Sequence, residues 1–184
     1  VFYEPEDGSE ESTTFQITDA GWIYQESVAV ISNSNDHFGL WNATDSSFEN
    51  SEIEAEYVSD FTEVDGIPSV LFTDTQRNQD LAFYDANTGV RRYLRTGESE
   101  DIRADDGGLE VDIPGYGQSF AYVDGSGYIN FYIRSQDTTA HLRQRAQYLG
   151  GSGDVDGDGV DELVYLDNDN RNLDYYDFEQ GTSI

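Results

Sequence analysis

The chain has 184 residues and carries 38 acidic side chains against nine basic ones, which gives a formal net charge of −29 at neutral pH. A field of this sign repels phosphate backbones, so nucleic acid is excluded as a partner. No apolar run approaches the roughly 20 residues that span a bilayer, so membrane insertion is excluded as well.

The nine basic residues are all arginine, and the excess of carboxylates would destabilise a compact fold by self-repulsion. Such repulsion is tolerable where the Debye length is only a few ångströms, as it is at molar salt. The composition therefore indicates a protein from a halophile. High net charge is also typical of disorder, but the 13 tyrosines, 10 phenylalanines and two tryptophans favour a folded chain. Because methionine is missing, we expect a processed product or a segment of a longer chain.

Short apolar strands recur along the chain at a nearly constant spacing. Four first strands share an apolar centre between polar ends: Ser27–Ser32, Ser69–Asp74, Ser119–Asp124 and Glu162–Asp167. Each is followed by a polar hairpin and a second strand that ends in an aromatic residue: Phe38–Trp41, Leu81–Tyr84, Ile129–Tyr132 and Leu173–Tyr176. The first strands begin 42, 50 and 43 residues apart. Strands and turns with a period of about 40–50 residues are typical of β-propeller blades.

Weaker apolar runs complete the predicted blades. We expect outer strands at Thr13–Thr18, Phe48–Ile53, Val90–Arg95 and His141–Arg145. We expect inner strands at Gly21–Tyr24, Ala55–Val58, Leu109–Ile113 and Ala146–Leu149. The sequence therefore predicts an all-β chain that forms one β-propeller domain over residues 1–184. It has about four blades of four antiparallel strands, with repeats at residues 19–54, 55–96, 97–145 and 146–184.

The two ends of the chain suggest how the ring closes. The chain ends soon after Tyr176, so we expect the last repeat to lack an outer strand of its own. Propellers avoid unpaired edges by pairing the two ends of the chain. We therefore predict that residues 1–18 complete the last blade, with Thr13–Thr18 antiparallel to the Tyr175 strand. The alternative is an arc of a larger propeller, in which Val1–Thr18 finishes a blade upstream.

Residues 154–162, Asp-Val-Asp-Gly-Asp-Gly-Val-Asp-Glu, place an acid at every second position across two glycines. Ca²⁺ takes six to eight oxygen ligands, so it needs several carboxylates that converge from a tightly turned backbone. We predict a Ca²⁺ site whose ligands are Asp154, Asp156, Asp158, the Val160 carbonyl and Glu162. An EF-hand would need a bidentate acid at position 12 and flanking helices, but position 12 is Tyr165, in an apolar strand. The remaining alternative is an acidic surface turn.

The segment Tyr148–Leu166 resembles the FG-GAP, or integrin-α-type, β-propeller repeat, in which a glycine-rich strand leads into a D-x-D-G-D-G-x-x-D/E loop. The resemblance implies a blade of four antiparallel strands, Ca²⁺ between the first two, the same five ligands, and non-catalytic adhesion or recognition at the cell surface. The second repeat keeps only Glu63–Pro68 of the motif, and the third has Pro114–Gln118 in its place. We therefore expect one calcium site.

Other candidate sites have plainer explanations. The hairpin Asp167–Asn172 could hold a second cation, but Asn and Asp also stabilise turns by bonding to their own backbone. Ser119 lacks the strand–turn–helix context of a nucleophile elbow. His37 and His141 lie in different repeats, so we predict no catalytic residue.

Two arginine groups stand out against the acidic background. One group is Arg91, Arg92, Arg95 and Arg103, and the other is Arg134, Arg143 and Arg145, with His141 beside it. Arg143 and Arg145 share one strand face with His141 by the period of two. They could contact an acidic glycan or neutralise acids on neighbouring strands.

The triplet Asn42-Ala43-Thr44 is an N-glycosylation sequon, which is consistent with export.

These patterns together predict a non-catalytic, Ca²⁺-binding β-propeller module at the cell surface or outside the cell of a halophile. It would serve recognition, adhesion or surface structure, with a protein or glycan as its partner. Millimolar Ca²⁺ outside cells suits a loop site of modest affinity. The alternatives are a virion or filament component that presents the propeller to a host, and a polysaccharide lyase or glycosidase.

Salt dependence tests the halophile interpretation. The Debye length falls from about 10 Å at 0.1 M salt to about 3 Å at 1 M salt, so repulsion between carboxylates is progressively screened. Thermal unfolding followed by circular dichroism should therefore show a midpoint that rises from about 0.1 M to about 3 M KCl. A flat or falling midpoint would contradict adaptation to high salt.

Overall fold

The computed structural model of the chain describes residues 2–3, 10–11, 17–24, 27–32, 36–42, 44–45, 47–64, 67–77, 80–93 and 108–183. Within these ranges the chain forms sixteen β-strands and two short 3₁₀ turns, Thr75–Arg77 and Arg134–Gln136, with no α-helix. The strands are β1 (Phe2–Tyr3), β2 (Glu10–Glu11), β3 (Ile17–Tyr24), β4 (Ser27–Ser32), β5 (His37–Asn42), β6 (Ser47–Val64), β7 (Ile67–Asp74), β8 (Asp80–Asp85), β9 (Arg91–Tyr93), β10 (Leu109–Ile113), β11 (Gly117–Val123), β12 (Tyr128–Ile133), β13 (Thr138–Gly153), β14 (Glu162–Asp167), β15 (Leu173–Asp177) and β16 (Thr182–Ser183).

Fourteen of these strands build two antiparallel sheets of seven strands each. One sheet runs in chain order from β3 to β9 and the other from β10 to β16, while β1 pairs with β2. Each strand therefore pairs with its neighbours in the sequence, as short hairpin connections between antiparallel strands require. The predicted all-β class with antiparallel sheets is confirmed.

One long strand divides each sheet into two halves. Strand β6 pairs with β5 as far as Glu54 and with β7 from Ala55 onwards. Strand β13 likewise changes its partner from β12 to β14 between Arg145 and Ala146. We name the resulting four-stranded parts units 1 to 4. Unit 1 is β3–β5 with residues 47–54, unit 2 is residues 55–64 with β7–β9, unit 3 is β10–β12 with residues 138–145, and unit 4 is residues 146–153 with β14–β16.

The predicted first and second strands of all four repeats lie within two residues of the observed ends of β4, β5, β7, β8, β11, β12, β14 and β15. Two changes of partner, after Glu54 and after Arg145, fall where the repeat pattern placed boundaries. The third predicted boundary, between residues 96 and 97, lies outside the described residues.

The prediction that the last repeat lacks an outer strand of its own is wrong. Thr182 and Ser183 form β16, which pairs with Asp177 and Tyr176 of β15. Ile17, which the predicted closure placed beside β15, instead pairs with Ser32 of β4. Residues 13–16 lie outside the described residues, so their part in closing a ring stays a prediction.

The core consists of apolar layers between successive units. Strand β7 shows why: its residues are buried without interruption from Ser69 to Asp74, and a strand buried at consecutive positions is covered on both faces. Between units 1 and 2 lie Ala29, Ile31, Phe38, Val70, Phe72 and Tyr84; between units 2 and 3 lie Leu71, Leu81, Phe83, Phe120, Tyr122 and Tyr132; between units 3 and 4 lie Ala121, Val123, Ile129, Phe131, Leu163 and Tyr165. The Phe83 and Phe120 rings meet edge-to-face with centroids 4.6 Å apart, and this contact joins the two sheets.

The outward face of unit 4 is also apolar. Leu163 and Tyr165 face unit 3, so Val164 and Leu166 point to the opposite side of β14 by the period of two. Register then adds Tyr148, Leu173 and Tyr175 to that side. Leu173 is 73% exposed.

Unit 1 has an outward apolar face as well, formed by Val28, Val30 and Trp41. Their cluster contains no described residue of unit 4. Direct packing of unit 4 on unit 1, as in a closed four-bladed ring, is therefore not seen among the described residues. The closed ring stays a prediction, and the exposure of Leu173 counts against it.

A buried aspartate at a strand end organises each of several hairpins. Asp85 accepts hydrogen bonds at Oδ1 from the Asn87 and Thr88 amides, and at Oδ2 from the Thr88 hydroxyl, at 2.6–3.1 Å. Asp124, Asp167 and Asp177 bind the amides of their own following turns in the same way. Such bonds make the turn and satisfy the buried carboxylate together.

Substitution of Asp85 tests this role. Asp85→Ala leaves the turn amides without their acceptor and should lower the free energy of unfolding by about 1–3 kcal/mol. Asp85→Asn keeps an acceptor oxygen and should lose less. Asp112→Ala, at an exposed position of β10, should stay within about 0.5 kcal/mol of wild type in the same urea titration at high salt. Equal losses at Asp85 and Asp112 would show that the buried carboxylate does not organise the turn.

Candidate metal centre

The predicted calcium loop joins two neighbouring strands of unit 4. Strand β13 ends at Gly153, the loop spans residues 154–161, and β14 begins at Glu162. The site is therefore a strand–loop–strand arrangement, which agrees with the sequence interpretation and differs from an EF-hand.

The loop is held in a tight turn by its own aspartates. The Asp154 carboxylate accepts hydrogen bonds from the Gly157 amide at 2.6 Å and from the Gly159 amide at 3.1 Å. Gly157 and Gly159 have φ of +86° and +92°, in the region that favours glycine. The alternation of Asp and Gly thus specifies the local backbone.

Three carboxylates converge in this loop. One oxygen each from Asp154, Asp156 and Glu162 lies within 4.8 Å of the others. Like charges at this distance repel one another, and a bound cation would turn the repulsion into attraction. The site accordingly joins residues from both ends of the loop.

Glu162 provides a second, independent sign of a ligand. Its side chain is 0% exposed, at the first position of β14. Its Oε2 accepts a hydrogen bond from the Val155 amide at 2.7 Å, whereas its buried Oε1 has no hydrogen-bond partner among the residues that the structure describes. A buried carboxylate oxygen without a donor costs free energy. A metal ion beside Asp154 and Asp156 would satisfy it.

The donor set fits a hard cation. All three converging groups are carboxylates, which suit Ca²⁺; Zn²⁺ favours sulfur and nitrogen ligands, and Mg²⁺ demands a stricter octahedral geometry. Asp158 lies outside the converging group, and its Oδ1 accepts a hydrogen bond from the Val160 amide at 2.8 Å. Coordination by Asp158 and by the Val160 carbonyl stays a prediction.

The hairpin Asp167–Asn172 is built as a turn. Asp167 Oδ1 accepts hydrogen bonds from the amides of Asp169 and Asn170, and its Oδ2 accepts one from Gln144. Asp169 forms an ion pair with Arg145 at 3.4 Å. These contacts support the plain-turn interpretation of this hairpin.

Ser119 has a structural environment that repeats along the chain. It is buried, and its hydroxyl donates to the Gly117 carbonyl at 3.0 Å, as the Ser69 hydroxyl donates to the Ile67 carbonyl at 3.1 Å. His37 lies in β5 and His141 in β13, on different sheets. The Asn42 side chain accepts a hydrogen bond from the Thr44 amide at 2.8 Å; its glycosylation stays a prediction.

Unit 3 contains a chain of polar side chains that the sequence did not predict. Asn130 is buried in β12; its amide nitrogen donates to Asp124 Oδ2 at 3.0 Å, and its Oδ1 contacts His141 Nδ1. The available signal was an asparagine within the otherwise apolar run Tyr128–Ile133. The side chains of Arg91, Arg92, Arg95 and Arg103 lie outside the described residues.

No protein-family model matches the sequence, and no curated protein matches it. The structure is similar to part of the extracellular domain of BT4673, a B. thetaiotaomicron protein described as a one-component system. The TM-score is 0.57 at 9% sequence identity, over 98% of this chain and 23% of that one. The chain thus spans about a quarter of the length of the solved structure it matches, and the likeness concerns the fold alone. None of the helical turns in the described residues has the length and apolar character of a membrane-spanning helix.

Proposed function

We propose that the chain is a calcium-stabilised β-propeller segment, with units 1 to 4 as its blades. It serves as a non-catalytic recognition or structural module on or outside the cell of a halophile. The observation that carries the calcium role is the buried, unpartnered Oε1 of Glu162, beside the carboxylates of Asp154 and Asp156.

The ion would act as a structural clamp. Glu162 is the first residue of β14, and Asp154 directly follows β13. A cation held by both carboxylates would therefore tie the entry and the exit of the loop together. The positive charge of Ca²⁺ would offset the repulsion between the converging carboxylates, while the loop amides keep the aspartates in position.

Three further observations support the location and the role. The net charge of −29 suits molar salt. The Asp-Gly loop resembles the FG-GAP repeat of surface adhesion proteins. One solved structure that this fold resembles is itself an extracellular domain.

The Glu162→Gln variant tests the clamp directly. In chelator, the variant should be at least as stable as wild type, because it removes one of three mutually repelling charges. In Ca²⁺ at a hundredfold excess over the dissociation constant, wild type should gain about 2.7 kcal/mol of unfolding free energy. The variant should gain almost none, as read from urea titrations at high salt.

Glu179→Gln, at an exposed position, is the matched control and should gain as much from Ca²⁺ as wild type does. Calorimetry should show one dominant Ca²⁺-binding event, and Asp156→Asn or Asp158→Ala should abolish it. Ca²⁺ takes six to eight oxygen ligands, so the site cannot lose the ligand of either aspartate. If Ca²⁺ stabilises the Glu162→Gln variant as much as wild type, the loop is an acidic turn and not the calcium site.

A further inference from the structure

A second site lies on unit 3, at an irregularity in the pairing of β12 with β13. Tyr128 pairs with Arg145 and Asn130 with His141, so three residues of β13 lie opposite one of β12. Such a bulge re-aims side chains and bends the strand. Beside it is an open cavity of about 410 Å³, lined by Asp124, Tyr128, His141, Leu142 and Arg143.

Hydrogen bonds within the protein fix one wall of this cavity. Asn130 donates to Asp124 Oδ2 and to the Tyr128 carbonyl, both at 3.0 Å, and its Oδ1 contacts His141 Nδ1. Since an amide oxygen only accepts, Nδ1 is the donor in that contact. Asp124 Oδ1 accepts from the Ser126 and Tyr128 amides. The Asp124 carboxylate is thus engaged within the protein, and the wall is preorganised.

Arg143 lines this cavity. Its neighbour Arg145 forms an ion pair with Asp169, donates to the Ser126 carbonyl and lies 5.7 Å from the Tyr128 ring centroid. Among the described residues, by contrast, Arg143 makes no hydrogen bond or ion pair. In a chain with 38 acidic residues and nine arginines, a guanidinium left unpaired at a cavity is available for a ligand.

The lining indicates the class of ligand. A guanidinium matches a carboxylate through two parallel hydrogen bonds. A monoanion also suits the −29 field better than a dianion such as phosphate or sulfate, because repulsion grows with ligand charge. Tyr128 is 41% exposed, and its ring can pack against the C–H face of a sugar.

We propose that this cavity binds a carboxylate-bearing sugar residue. Arg143 binds the carboxylate and Tyr128 packs against the ring. This inference rests on the proposed recognition role and gives that role a ligand class and a location away from the calcium loop.

The test is a calorimetric titration of the Ca²⁺-loaded chain, at a salt concentration that keeps it folded, with methyl β-glucuronide and methyl β-glucoside. The two probes differ only in the carboxylate. We expect saturable glucuronide binding that is at least about tenfold weaker for the glucoside and for Arg143→Gln. Arg171→Gln removes the same charge from an exposed turn and should bind as wild type does.

Three outcomes would overturn the inference: no glucuronide binding, equal binding of the two sugars, or full binding by Arg143→Gln. Displacement of the glucuronide by equimolar sulfate would also overturn it, because the cavity would then be a general anion site. Ca²⁺ binding measured on the same samples separates the two proposals. A chain that binds Ca²⁺ but no glucuronide refutes only the sugar site, and one that binds neither refutes both.

Discussion

The architecture follows from one constraint, which is that each four-stranded unit is apolar on both faces. In β7, Val70 and Phe72 face unit 1 while Leu71 faces unit 3. Leaving an apolar face of such a sheet in water costs free energy, so stacking of the units face to face is favoured. The long strands β6 and β13 help by carrying the chain from one unit into the next without a loop. The outward face of unit 4 departs from this pattern. Its residues Leu166 and Leu173 are apolar like those of the inner layers, but no described unit covers them.

The fold was largely predictable because its signals are local. The alternation of apolar residues and the polar hairpins located β4, β7, β11 and β14 to within two residues. Strand β16 was missed because Thr182 and Ser183 carry no apolar alternation; its place is set by pairing with β15. The sequence predicts an outer strand at Phe48–Ile53 and a separate inner strand at Ala55–Val58, but the structure joins them in the single strand β6. No turn residue lies between the two predicted strands. Whether the ring closes depends on contacts between distant units, which periodicity does not encode.

The candidate sites were predictable to different extents. The Asp-Gly alternation indicated the candidate calcium loop because its acids and its turn residues are neighbours in sequence. The burial of Glu162 and the unpartnered state of its Oε1 depend on the packing of β14 and could not be read from spacing. The unit 3 cavity was harder still to predict, since it depends on the pairing register that brings Asn130 to His141. Arg143 lines this cavity, and no described acid pairs with it. Sequence alone only grouped Arg143 with its basic neighbours.

The calcium loop and the stacking of units meet in β14, where Glu162 holds the loop and the next residue, Leu163, packs against unit 3. An ion bound by Glu162 would therefore stabilise the same strand that the core positions. The most direct measurement is a crystal structure with Ca²⁺ present and anomalous scattering collected at long wavelength. The account predicts a single calcium peak at the loop, coordinated by Glu162 Oε1 together with the carboxylates of Asp154 and Asp156. An empty loop, or a calcium ion that leaves Glu162 Oε1 unbound, would contradict it.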